Sequence, residues 1–174
     1  MVLASLLVAA PEAVAYPQWN LALDAGAGVR RAPTLGPCFT GTLGLRSDVT
    51  FGERTPYAWR AGFFAGVGST DFRTLEVSAG AVLHLPAHPS FPLLLSVGGV
   101  VDAVPEAGRA GVLGRVWWGS RSLNYHGVYG MAVGLWVQGR YHPGDQEADV
   151  LVGVDADLYF IAIPAIALYE WIRR

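Results

Sequence analysis

Near the end of this 174-residue chain, the stretch ADVLVGVDADLYF (148–160) sets Asp149, Asp155 and Asp157 at odd positions and Val150, Val152, Val154, Ala156, Leu158 and Phe160 at even ones. Carboxylates held close together can exchange protons in acid–base catalysis or ligate a hard cation. On an extended chain, residues two apart share one side and are spread along it, so their chemistry depends on what other segments bring opposite. Nucleophilic catalysis needs a nucleophile, a base and an orienting acid within hydrogen-bond reach. Glu76, Ser78 and His84 are the nearest set on one side of one segment. At about 3.3 Å of rise per residue, Ser78 and His84 stand about 20 Å apart on a strand, too far to act together. His84 and His88 bracket LPA in a proline-rich stretch, where a four-residue spacing has no helical meaning. His126 lies between Tyr125 and Gly127, and His142 belongs to the turn-like RYHPGDQE. GAGVRR and GVGSTD are glycine-rich but lack the lysine and the strand-to-helix context of a phosphate loop. No catalytic residue, metal-ligand set or cofactor site is assigned.

The elements that would position these residues are strands. From Trp19 onward apolar residues recur at every second position, the period of a strand with two unlike faces. The alternation predicts eight segments of 12 to 14 residues, at about 18–30, 39–51, 59–70, 73–85, 92–103, 110–121, 127–140 and 148–160. Turn formers punctuate them in RAPTLGP, GERTPY, AHPSFP, VPEAGR and HPGDQE. Each segment has one apolar face, such as Trp59, Ala61, Phe63, Ala65 and Val67 in the third. Eight consecutive antiparallel strands with short connections close most simply into an up-and-down barrel, which leaves no edge unpaired. The barrel domain is expected over 16–160.

Composition places this barrel away from water. The chain is 52% hydrophobic with 15% charged residues, against about 25% in ordinary soluble domains. All twelve basic residues are arginine, and lysine is absent. A net charge of −2 with no basic run excludes the electrostatic footprint of a nucleic-acid binder. Cys38 stands alone, so no internal disulfide is expected. MVLASLLVAAPEAVA, residues 1–15, combines an apolar run from Val2 to Ala10, Pro11, and Ala13 and Ala15 in the A-x-A arrangement, which predicts a signal peptide. Its first residues lack Lys and Arg, and an apolar N-terminal helix that stays attached is the alternative. No window offers the ~18 uninterrupted apolar residues of a membrane-spanning helix.

Alternation alone does not say which face is inside, and two features decide it. The less apolar face is dominated by small residues, including Gly26, Gly28, Gly44, Gly62, Gly66, Gly80, Gly98, Gly119, Gly130 and Gly134, which suit a narrow interior. Starts of odd segments and ends of even ones share a rim, and there stand Trp19, Phe51, Trp59, Trp117, Trp118, Tyr129 and Phe160. Aromatic girdles mark the interfaces of transmembrane barrels. The opposite rim carries more charge, including Arg30, Asp71, Asp102, Arg109, Asp145 and Glu147.

In this alternation, its aromatic rim and its leader, the chain resembles the small eight-stranded outer-membrane barrels of Gram-negative bacteria. Such proteins commonly close with an alternating strand ending in an aromatic residue, as VLVGVDADLYF does at Phe160. The resemblance implies a place in the bacterial outer membrane, lipid against the outer wall, and insertion by the outer-membrane assembly machinery. The His-x-Ser motif of outer-membrane lipid A deacylases is absent at His126. The chain departs from the pattern by continuing through 161–174 as IAIPAIALYEWIRR. Pro164 suits a first helical turn and Arg173 and Arg174 a last one, so a short helix over 164–173 is one option and a ninth strand the other.

Closure would bring Asp155 and Asp157 beside Asp24, with Arg46 and Arg115 reaching across the lumen and Arg60 and Glu76 extending the set. Charges in a low-dielectric interior must pair, which predicts a structural ion network, a cation or proton-sensitive site being the alternative. An eight-stranded interior is filled by side chains, so no open pore is expected. Three functional readings follow: an integral outer-membrane barrel of structural or interaction type, an exported soluble lipocalin-like barrel around an apolar ligand, and an outer-membrane lipid-modifying enzyme.

Overall fold

The computed structural model describes residues 16–33, 36–55, 57–104, 108–123 and 128–173, with backbone alone for 163–167. The leader expected over 1–15 lies outside the described residues. The period-two pattern becomes eight strands: β1 (Tyr16–Ala32), β2 (Gly36–Gly52), β3 (Arg60–Thr70), β4 (Thr74–Leu85), β5 (Leu93–Val104), β6 (Arg109–Ser122), β7 (Met131–His142) and β8 (Glu147–Asp157). A helix, α1 (Leu158–Arg173), follows. Each strand pairs antiparallel with the next, and β8 with β1, so the sheet is a closed barrel.

The pairing fixes the barrel's geometry. Lateral partners run from Asn20 through Asp48, Phe64, Gly80, Gly98, Leu113, Arg140 and Asp149, and return to β1 at Arg30. The circuit that leaves β1 at position 20 re-enters it at position 30, a stagger of ten residues that tilts the strands by about 40°. The eleven residues of β3, at about 3.3 Å each and with that tilt, rise about 28 Å along the axis. That matches the apolar band of transmembrane barrels, about 25 Å tall.

Outward strand positions are mostly apolar and many are exposed, as at Leu45, Phe63, Val77, Val97, Leu135 and Val152, with a few serines among them. Apart from Arg31 near the end of β1, none of them carries a charge. The inward parity holds a small aromatic core. Trp117 and Trp136 cluster with Val82, Leu94, Ala132 and Leu151, and Phe64 with Val100 and Leu113. Inward glycines make room for these rings. A Cβ on Gly26 or Gly153 would fall 2.4 Å from Trp136, one on Gly134 2.5 Å from Trp117, and one on Gly80 2.8 Å from Phe64. Outward Gly139 faces open space.

Element ends differ most from the alternation in three places. β1 and β2 each run 17 residues, longer than their apolar stripes. β7 starts at Met131, four residues later than expected, and Tyr129 forms an isolated bridge to Trp19. β8 stops at Asp157, where the carboxylate Oδ1 accepts the backbone N–H of Tyr159 (2.7 Å) and of Phe160 (3.4 Å). That cap satisfies helix-start donors, so the helix begins at Leu158 and not at 164, and no ninth strand forms. Phe160 therefore lies on the helix and does not end a strand.

Candidate functional site

The charges missing from the outer wall are inside it. Inward strand positions hold Arg30, Arg46, Arg60, Arg109, Arg115, Arg121 and Arg140 together with eight carboxylates, because parity sends every second residue into the lumen. At mid-depth Arg115 of β6 donates to both oxygens of Asp24 on β1 (2.7 and 2.9 Å) and to Asp155 on β8 (3.0 Å). Asp24 and Asp155 are direct lateral partners across the β1–β8 seam. The indole N–H of Trp117 donates to the other Asp155 oxygen (2.6 Å), and the Arg115 guanidinium lies 4.6 Å from the centre of the Trp136 ring. Arg46 donates to Ser96 (2.8 Å) and stacks on Phe64, 3.8 Å from its centre.

Toward the rim of short turns, Arg140 makes a two-pronged pair with Asp149 (2.8 and 2.6 Å) and a second contact with Glu76, which also accepts from Thr70. Arg30 and Arg109 then share Glu147 (3.0 and 2.8 Å), and Arg109 reaches Asp145 (2.7 Å). Toward the aromatic rim, Arg121 grips Asp48 with two hydrogen bonds (2.5 and 3.2 Å). Arg60 donates to the carbonyls of Glu53 (2.8 Å) and Tyr16 (2.6 Å). Asp157 accepts from Asn20 (2.7 Å) and from the Tyr129 hydroxyl. Tyr129 stands outside the strands at this rim. Burial, and then the bond to and charge of Asp157, raise its phenol above the ordinary tyrosine value.

Of the seven charged residues singled out in the sequence, Asp24, Arg115 and Asp155 come together directly. Glu76 finds Arg140. Arg46, Arg60 and Asp157 receive neutral partners in the bonds above. The Asp48–Arg121 and Arg140–Asp149 pairs went unforeseen, although the inward parity of all four residues was visible in the alternation.

Among the aromatic residues expected at the rim, Trp19, Phe51, Trp59 and Trp118 are exposed, and Phe160 is exposed on the helix. Trp117 is a correction. It is 4% exposed and lies in the core, whereas its neighbour Trp118 is 53% exposed, because adjacent strand residues face opposite ways. Tyr129 packs edge-on against Trp19 (centroids 5.5 Å apart) and lies 6.3 Å from Tyr159. Phe91 joins the rim 6.1 Å from Trp118, an addition that its place in a connection concealed.

Ser78 and His84 both point inward from β4 without bonding to each other, and the ring nitrogens of buried His84 meet no hydrogen-bond partner among the described residues. Ser78 lines a cavity of about 50 Å³ together with Asp24, Arg46, Glu76, Arg115 and Arg140. Liquid water takes about 30 Å³ per molecule, so this polar space suits a water or two and no acyl chain.

No family model and no curated protein matches the chain. It is similar in fold to a solved structure from the de novo design of transmembrane β-barrels, at 12% identity and a TM-score of 0.44, over 79% of this chain and 94% of that one.

Proposed function

We propose that this chain is an integral barrel of the bacterial outer membrane with a structural or interaction role, its lumen plugged by arginines and carboxylates. The observation that carries the reading is the outer wall. It is an apolar belt about 28 Å tall, uncharged except at Arg31, and bordered by exposed Trp19, Phe51, Trp59 and Trp118. A soluble protein rarely exposes contiguous apolar surface beyond a few hundred Å², and lipid is the solvent that such a belt fits. The outer-membrane assignment draws on the leader-like residues 1–15 and on the rule that closed barrels satisfy every backbone group in lipid. Insertion by the outer-membrane assembly machinery belongs to the same reading.

The lumen supports a plug. Cross-lumen pairs from Arg115 to Asp24, Arg121 to Asp48 and Arg140 to Glu76 occupy the bore at successive depths, and the cavity beside Arg115 and Arg140 has the size of a water or two and not of a channel. The polarity of that interior weighs against a lipocalin-like carrier of apolar ligands. The separation of Ser78 from His84 weighs against lipid hydrolysis there.

Fractionation tests the membrane reading. After lysis and high-speed centrifugation the mature protein is expected in the pellet and extractable only with detergent, and the folded form should migrate differently on a gel before and after boiling. Recovery of soluble protein in the supernatant without detergent would overturn it.

A further inference from the structure

We infer that α1 is a second membrane contact, an anchor lying in the lipid interface at the aromatic rim and oriented by Asp157; this rests on the membrane reading above. The helix has 16 residues and spans about 24 Å, short of the ~30 Å hydrocarbon core, so it cannot cross. Its side chains are nonetheless those of a buried element. At about 100° per residue, Phe160, Ile161, Leu168, Trp171 and Ile172 fall within an arc of about 120°, and all five are exposed. Glu170 and Arg173 lie on the other side, beside the exposed rings of Tyr159 and Tyr169. A bare apolar arc opposite a side with two charges and two tyrosine hydroxyls suits a helix that rests in an interface, with the arc in the acyl boundary and the polar tips among headgroups and water.

Position favours lipid over a protein partner. The helix starts at the rim where the uncharged wall ends, and the rings of Trp19, Tyr129 and Tyr159 carry the aromatic belt from β1 onto its first turn without a break. Asp157 fixes this departure point. One carboxylate oxygen caps the helix while the other accepts from Asn20 of β1 and from Tyr129, so the first turn is tied to the barrel wall on both sides of the seam. Arg173 near the far end adds attraction for anionic headgroups.

The test uses the full mature chain in vesicles of phosphatidylcholine and phosphatidylglycerol, with Cys38→Ser and Leu168→Cys and an environment-sensitive dye on the new thiol. Protection of the barrel from protease reports insertion independently. With the barrel inserted, dye emission should be blue-shifted, and headgroup-level spin-labelled lipid should quench it severalfold more than aqueous iodide. Adding Trp171→Lys and Ile172→Lys should reverse that ratio while protease protection stays unchanged. An inserted barrel whose dye is quenched mainly by iodide overturns the anchor and leaves the membrane reading standing. An inserted barrel whose dye is shielded from both quenchers, with a crosslinked dimer, overturns it in favour of a second copy. A barrel that does not insert sinks the membrane reading and the anchor with it.

Discussion

A guanidinium presents two edges to acceptors at once, and Arg115 uses this to hold Asp24 and Asp155 together inside the barrel. Removing one member of such a set leaves the others buried and unbalanced. Arg115→Met is therefore expected to destabilise the folded barrel by about 3–5 kcal/mol, read from urea unfolding in lipid vesicles. Arg31→Met, on the outer wall, should stay within about 0.5 kcal/mol. The inward glycines make a second contrast. Gly153→Ala places a methyl 2.3 Å from the Ala25 carbonyl oxygen and 2.4 Å from Trp136, so strand and ring must both shift at a cost of about 1–3 kcal/mol, whereas Gly139→Ala meets open space and should be close to neutral. At this scale parity was the legible part. It assigns Asp24, Arg115 and Asp155 to one interior, but it cannot say which arginine meets which acid, because that depends on the stagger of strands far apart in the chain. Trp117 shows a different miss: proximity to the rim counted it with Trp118, while the parity of neighbouring residues already separated the two.

Each strand's existence followed from alternation, and its ends did not, because ends are set by local competition for backbone donors. Asp157 is the clearest instance. The apolar pattern continues through Leu158 and Phe160, but a carboxylate at the strand's last residue captures two amides and turns the chain into a helix. Asp157→Ala should weaken the cap by about 0.5–2 kcal/mol, visible as faster amide hydrogen exchange at Tyr159 and Phe160 while mid-strand amides of β8 keep their protection. The bond from Tyr129 to the same carboxylate adds a pH dependence. Since the folded-state phenol is raised above its unfolded value, the stabilisation is fully present below about pH 10 and is lost as pH climbs beyond it. Unfolding free energy measured from about pH 9 to about pH 11 should fall more steeply for the native protein than for Tyr129→Phe. An equal slope would show that this bond does not discriminate the two protonation states.

For the whole molecule, eight strands and a stagger of ten residues set a bore that long side chains can fill. Strand number and closure were legible from eight evenly spaced segments, whereas the stagger was not, because it is a property of all eight pairings together. If the plug is as tight as its pairs indicate, vesicles carrying the inserted protein should release a trapped small sugar no faster than empty vesicles. Replacing Arg115, Asp24 and Asp155 together with alanine should raise that release measurably, and a leak already present in the native protein would count against a plugged lumen.

Arg115 also has a bearing on how the barrel closes. Asp24 and Asp155 face each other across the place where the first and last strands must meet, and like charges directly opposite repel. The guanidinium that reconciles them comes from β6, which borders neither β1 nor β8. Without Arg115 the two carboxylates would push the ends of the sheet apart, and with it they are drawn together. The seam thus depends on a residue from the far wall, a clasp whose catch belongs to a strand that touches neither end.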